Sequence, residues 1–341
     1  MDLLVLFINA AVIAGTPYLF GTMGEILTEK SGNLNLGVEG MMFMGAIGGL
    51  LSVSLLESGL GVDVAPGLAV LLAVGVSFLA GAAGAFIYSV LVVTFRTQQN
   101  VTGLALTIFG VGLGNFLGDF FGRRSDTGIV RISARAGAGF SRLDIPVLSD
   151  IPYIGPLFFN YNILVYLGIA MAIVLALFFK YTRIGLNLRA VGENPAAADA
   201  ASIPVAKYKY AATCIGGGIC GIGGMYIIMV TTAGGVWIHN VVAGFGWTSV
   251  ALVIFASWSP RRAILGSMIF GALRVMPFYF PANQLITVGF ISFTMPNIPM
   301  QFYAMLPYAM TIFVLIFTSI RPNRETNPPG GLGVNYFRED R

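Results

Sequence analysis

The sequence predicts an all-α fold, a polytopic membrane helix bundle with about 8–10 transmembrane segments. Three observations lead there. Hydrophobic types make up 56% of the 341 residues, and mean hydropathy is +0.82. Charged types are only 10%, against roughly 25% in ordinary soluble domains. Apolar stretches of membrane-crossing length recur from one end of the chain to the other. The 44 glycines fit such a bundle, because glycine lets helix backbones approach closely in lipid.

The apolar segments fall near 3–22, 36–58, 65–93, 100–121, 161–180, 208–229, 246–257, 262–281 and 303–320. Asp2 and the lack of Lys or Arg at the start make the first one a retained span rather than a secretory signal. The seventh is short. The stretch "PANQLITVGFISFTMPNIPM" before the last is apolar but broken by Pro281, Pro296 and Pro299, so each of these two is a candidate half-span or re-entrant segment. Lys and Arg set the expected orientation, with the N-terminus outside and the C-terminus cytoplasmic. Thirteen of the 19 fall in segments this assignment puts inside; Arg123, Arg124, Arg131, Arg135 and Arg142 fall outside, and Arg274 lies within a span. The chain then divides into a membrane domain over residues 1–320 and a cytoplasmic tail over 321–341. The domain carries a long outer loop near 122–160 and a long inner one near 181–207. Such a chain is a multi-pass integral membrane protein.

Glycines four apart share a helix face. Gly110, Gly114 and Gly118 form one such stripe, Gly45 with Gly49 a second, and Gly217 with Gly221 a third; close packing inside the bundle is their expected use.

Several chemistries lack the residues they need. The single histidine, His239, supports neither a catalytic triad nor a metal site. Cys214 and Cys220 share one apolar segment and read as packing residues. No G-x-x-x-x-G-K-[ST] loop is present, so the chain has no such route to ATP hydrolysis. Basic residues are split among separate loops and give nucleic acid no stripe to follow. The chain is therefore expected to be neither an enzyme nor the holder of a cofactor.

Ionisable groups inside a span are costly, and each is a functional candidate. Glu39, Asp119 and Arg274 meet that description. Glu39 has two readings, a hydrogen-bonding anchor near an interface or a part of the substrate route. Arg274 either meets Glu39 across the bundle or faces a polar substrate. Asn100, Asn115 and Trp247 join Glu39 and Arg274 as candidate pathway residues, because amides and an indole can hydrogen-bond and stack on a polar ring.

In the inner loop, Asn194 followed by Pro195 reads as a helix start, and Pro204 limits the other end. The intervening "AAADAASI" makes about two turns of small side chains, too short to be stable alone. It reads either as a docking element that settles into a partner's groove or as an ordinary surface turn between two spans.

The stretches "GEILTEKSGNLNLGVEGMMFMGA", "TQQNVTGLALTIFGVGL", "GLNLRAVGENPAAADAASIPV" and "GWTSVALVIFASWSPRRAILGSMIFG" occur in order from residue 24 onward. Together they resemble the permease subunits of bacterial ABC importers of the simple-sugar and nucleoside type. Within these the chain is most similar to the smaller of the two permeases of nucleoside uptake systems. The resemblance implies a heterodimer with a second related permease, a pair of cytoplasmic ABC ATPases that hydrolyse the ATP, and an external substrate-binding lipoprotein. It implies that "GENPAA", comprising Gly192, Glu193, Asn194, Pro195, Ala196 and Ala197, couples to the ATPase. Glu39 matches the family's acidic position in "NLGVEGMM". Arg274 and Pro277 depart from the family pattern, which there more often has uncharged residues and a glutamine. The alternative function is an ion-coupled secondary transporter of a small polar solute, whose ion site would have to use Glu39 or Asp119. A scaffold that transports nothing is a further rival.

Overall fold

The structure is a computed structural model that describes residues 3–61, 63–143, 151, 154–232, 234–280, 285–288, 291–294, 299–320 and 327–337. The chain runs α1 (Leu3–Glu29), α2 (Val38–Leu60), α3 (Pro66–Ser89) and α4 (Gln99–Gly122). Short α5 (Ala134–Gly137) and α6 (Ile154–Phe158) precede α7 (Ile163–Tyr181), α8 (Arg183–Glu193), α9 (Pro195–Ala200) and α10 (Val205–Tyr226). It closes with α11 (Phe245–Phe255), α12 (Pro260–Tyr279), β1 (Leu285–Val288), β2 (Ile291–Thr294) and α13 (Met300–Ile320). Each apolar segment of the sequence corresponds to a helix.

Among the described residues, six helices are long and apolar enough to cross a membrane: α1, α2, α3 and α10 (the last two with their π-helical ends), α4 and α7. α10 and α2 form the centre, with 83% and 78% of their apolar stretches buried, while α3 and α7, at 28% and 33%, lie at the periphery. The methionine run explains itself here, since Met41 and Met42 are fully enclosed beside Phe20, Phe43 and Tyr226.

The glycine stripes pack inward. A methyl group on Gly45 would collide with the Gly221 backbone, and one on Gly110 with Gly40. Gly217 and Gly221 receive Gly81 of α3, while Gly118 accommodates the Trp237 ring. Each stripe is therefore a seam between two elements of this chain.

Three details differ from the sequence reading. The first helix continues to Glu29, so Glu25 and Glu29 are fully buried rather than loop residues. Its length follows from the acids' partners: the Asn35 backbone and side-chain amides donate to Glu25 at 3.1 and 3.2 Å, and the Trp258 indole donates to Glu29. Second, part of the proline-broken stretch forms a hairpin in which Leu285 pairs with Thr294 and Val288 with Ile291; Pro281, Pro296 and the turn lie outside the described residues, and Pro299 directly precedes α13. Third, the tail is not wholly detached. Residues 327–337 pack against the bundle, whereas Arg321, Arg324, Arg338 and Arg341 of the orientation count lie outside the described residues.

Candidate translocation and coupling sites

α11 has eleven residues and spans about 16 Å, half of a hydrocarbon core of about 30 Å. The short seventh segment is thus a helix about half as long as a span. Its C-terminal end is tied to the foot of α1 through Trp258 and Glu29. Its other end opens inside the bundle, where Gly244 precedes it in a left-handed conformation (φ 85°) and no side chain of its own caps it. Glu39 supplies the missing cap. Its carboxylate accepts from the Gly244 amide at 3.0 Å and the Trp247 amide at 3.4 Å.

α2 also begins inside the bundle. The connection Lys30–Gly37 turns back between the helices, with Leu34 donating its amide to Gln99 at 2.7 Å and accepting from the Tyr88 hydroxyl at 2.6 Å. Gly40 consequently lies against Leu106 and Thr107, about two turns into α4. Glu39 sits in the first turn of α2 and at the first turn of α11 together, so one buried carboxylate meets the positive ends of two helices. The glycine after it lets α4 approach, and Gly246 lets α11 approach.

Arg274 meets other partners. Its guanidinium donates to the Tyr18 hydroxyl at 3.2 Å and lies 4.2 Å from the Phe245 ring centroid, which itself stacks on Tyr18 at 5.0 Å. A stacked guanidinium retains its charge while its plane is held by the ring. This cluster borders a cavity of about 370 Å³ that Gly244, Thr248, Tyr303 and Tyr308 also line. Arg274 and Glu39 form no ion pair in the described structure.

Asn115 pairs with Asn240: its amide donates to the Asn240 side-chain oxygen at 2.7 Å, and its oxygen accepts from the Asn240 backbone at 3.1 Å. Asn240 has φ 58°, so Asn115 holds a left-handed loop residue in place. Trp247 is partly exposed, and Asn100 stands exposed in the first turn of α4. The structure therefore gathers Glu39, Trp247 and Arg274 around the start of α11 and leaves Asn115 and Asn100 apart. His239, a lone residue in the sequence, lies 3.8 Å from Asp119, with both side chains exposed. Among the described residues, no group of three His, Cys, Asp or Glu side chains is arranged to hold a metal.

At the end of the bundle that includes Lys30–Gly37, α8 leads into α9. The Asn194 side chain accepts from the Ala197 amide at 3.0 Å, and Pro195 occupies the first turn, which is the start signal legible in the sequence. Glu193, Asn194 and Ala197 are exposed, while Ala198 packs with Val191 and Val205 in a small core of their own. Gly192 rests on the Lys30 backbone, where a side chain would clash. Burial pushes the Lys30 amine below its usual range, and nearby Arg189 adds to that shift.

Across the same end runs the segment 327–337. Gly330 and Gly331 donate to the Glu193 side chain at 3.1 Å and the Gly192 carbonyl at 2.8 Å. The Tyr336 hydroxyl donates to Asp199 at 2.7 Å, and Asn335 donates to the Arg96 carbonyl at 2.7 Å. One strap thus joins α8, α9, the Lys30–Gly37 connection and the turn after α3.

The family described as "Branched-chain amino acid transport system / permease component" matches residues 7–315. The chain belongs to this family. The permease is similar to the guanosine ABC transporter permease protein NupQ of Bacillus subtilis, at 30% identity over all of this chain and 99% of the relative. It is 32% identical to the nucleoside ABC transporter permease protein NupC of Lactococcus lactis subsp. cremoris, covering 96% and 95% of the two chains. It is also 32% identical, over 97% of each chain, to the provisionally named glucose ABC transporter permease protein TsgC13 of Haloferax volcanii. No solved structure shows a significant match.

This permease is a multi-pass component of an ABC transporter in the plasma membrane, and membership implies ATPase and binding-protein partners. It favours the ATP-driven reading over the ion-coupled one. Sequence reasoning about the permease missed Glu25, Glu29, Lys209 and the strap. The runs "GEILTEKSG" and "NPPGGLGVNYF" gave no hydropathy signal, and the polar density of the first was the only available hint.

Proposed function

We propose that this permease forms, with a second related permease, a heterodimeric pathway for a nucleoside or related simple sugar. A cytoplasmic ABC ATPase docks on Gly192–Ala197 and hydrolyses the ATP, and an external lipoprotein delivers the substrate; the chain itself binds no cofactor. The relatives' names, nucleoside, guanosine and glucose, support the substrate class. The N-terminus then lies outside and the α8–α9 end faces the cytoplasm. Residues 1–320 are the permease domain, with the coupling segment near 181–207 and an outer loop near 122–160, and 321–341 follow as a cytoplasmic tail.

One observation carries the reading. α9 stands partly exposed on a capped start shortly after Gly192, the α8 residue that rests on the Lys30–Gly37 connection, so a push on α9 passes through the end of α8 to that connection and on toward the start of α2 and Glu39. In the pathway Trp247 and Arg274 contact substrate beside the cavity at α11, and Asn100 contacts it near the inner mouth. Glu39 and Asn115 position the backbone that lines it. The test places bulky or charged side chains at Glu193–Ala197, such as Ala197→Arg, in cells that also make the ATPase, second permease and lipoprotein. Nucleoside uptake is expected to fall at least about tenfold, the equivalent of ~1.4 kcal/mol of coupling, at unchanged membrane abundance. Uptake that survives refutes the docking claim, and full transport by the purified chain alone in proteoliposomes refutes the whole assembly.

A further inference from the structure

Beside α9, four segments wall a cavity of about 360 Å³: the Lys30–Gly37 connection, the turn after α3, the start of α10 and the strap. Two residues that line it each carry a polar group without a protein partner. Lys209, in the second turn of α10, is only 4% exposed, and its ammonium makes no ion pair or hydrogen bond in the described structure. Asn33 is fully buried; its amide donates to Thr213 at 2.9 Å, and its carbonyl oxygen is unsatisfied. A buried ammonium without an anion is costly, as is a buried acceptor without a donor.

The remaining walls have the same electrostatic sign with one exception. Pro204 precedes α10, and no side chain caps its first amides, so the positive end of a 22-residue helix opens here. Lys207 and Arg96 line the rim. Asp199 is the acidic wall residue, and its carboxylate already accepts from Tyr336. We propose that this cavity binds a small phosphate-bearing anion, its oxygens held by Lys209 and the first amides of α10 and its hydroxyl donating to Asn33. A soluble phosphate or phosphomonoester and a phosphatidylglycerol headgroup share that chemistry. Bound there, the anion joins α10 to the strap and stiffens the segment that receives the ATPase stroke. That consequence rests on the coupling reading above; binding itself does not.

The full-length chain is reconstituted in phosphatidylcholine nanodiscs and its thermal midpoint followed in chloride. A second arm adds inorganic phosphate at matched ionic strength, and a third replaces part of the lipid with phosphatidylglycerol. The midpoint is expected to rise in the phosphate arm, which identifies a soluble ligand, in the phosphatidylglycerol arm, which identifies a headgroup, or in both. Lys209→Met is expected to abolish the rise, weakening binding at least about tenfold. No rise in either arm overturns the proposal, as does an undiminished rise in Lys209→Met. Should that variant not fold, Lys207→Gln at the exposed rim is expected to weaken phosphate binding several-fold, and an unchanged affinity there overturns it. Neither result depends on uptake, so the site and the coupling claim fail separately.

Discussion

Replacing Glu39 separates its two possible roles, holding the start of α11 or handling substrate. In Glu39→Ala the Gly244 and Trp247 amides lose their acceptor at 3.0 and 3.4 Å. Loss of a helix cap costs about 0.5–2 kcal/mol, and a hydrogen bond to a charged acceptor contributes about 1.5–3 kcal/mol. Part of this is offset because the carboxylate no longer has to be desolvated, which leaves a net loss of about 2–3 kcal/mol. At roughly 2 °C per kcal/mol for a chain of this size, the thermal midpoint of the purified protein in nanodiscs should fall by about 4–6 °C. Glu39→Gln keeps one acceptor oxygen and should lose only about 1 kcal/mol. Intrinsic fluorescence follows the transition, since Trp247 lies at the cap. An unchanged midpoint in Glu39→Ala together with abolished uptake would refute the capping argument and return Glu39 to the substrate route.

Other perturbations test the packing and the strap. Gly45→Leu drives a side chain into the Gly221 backbone at the central α2–α10 seam; the expected cost exceeds about 3 kcal/mol, read as loss of the monodisperse peak in size-exclusion chromatography. Trp258→Phe strands the buried Glu29 carboxylate without its indole donor and should lower stability by about 1–3 kcal/mol in the same thermal assay. Tyr336→Phe removes the bond to Asp199 and should speed hydrogen exchange over 327–337 by about tenfold while leaving the amides of α2 unchanged.

What the sequence revealed depended on the range of the interaction. Helix positions were legible because hydropathy over about 20 residues reflects contact with lipid, a property of each segment alone. The Asn194 cap was legible for the same reason, since its donor is three residues away. The anchor reading of Glu39 was available in advance, but its acceptor role joins residues more than 200 positions apart, and no local pattern encodes that. Glu25 and Glu29 looked like loop residues because their density of charge ends an apolar window. Burial is tolerated only because Asn35 and Trp258 arrive from elsewhere. The strap was invisible on both counts, being short, polar and held largely by groups distant in sequence.

The half-length of α11 has a mechanical consequence. A full span resists axial sliding because displacement carries its polar ends into lipid, whereas this half-length helix ends at a carboxylate and a glycine hinge within protein. This column of the bundle is a stopper seated in a frame of longer rods. Its displacement would exchange the few amide bonds to Glu39 at one end and strain the Trp258–Glu29 tie at the other, while every complete helix around it stays intact.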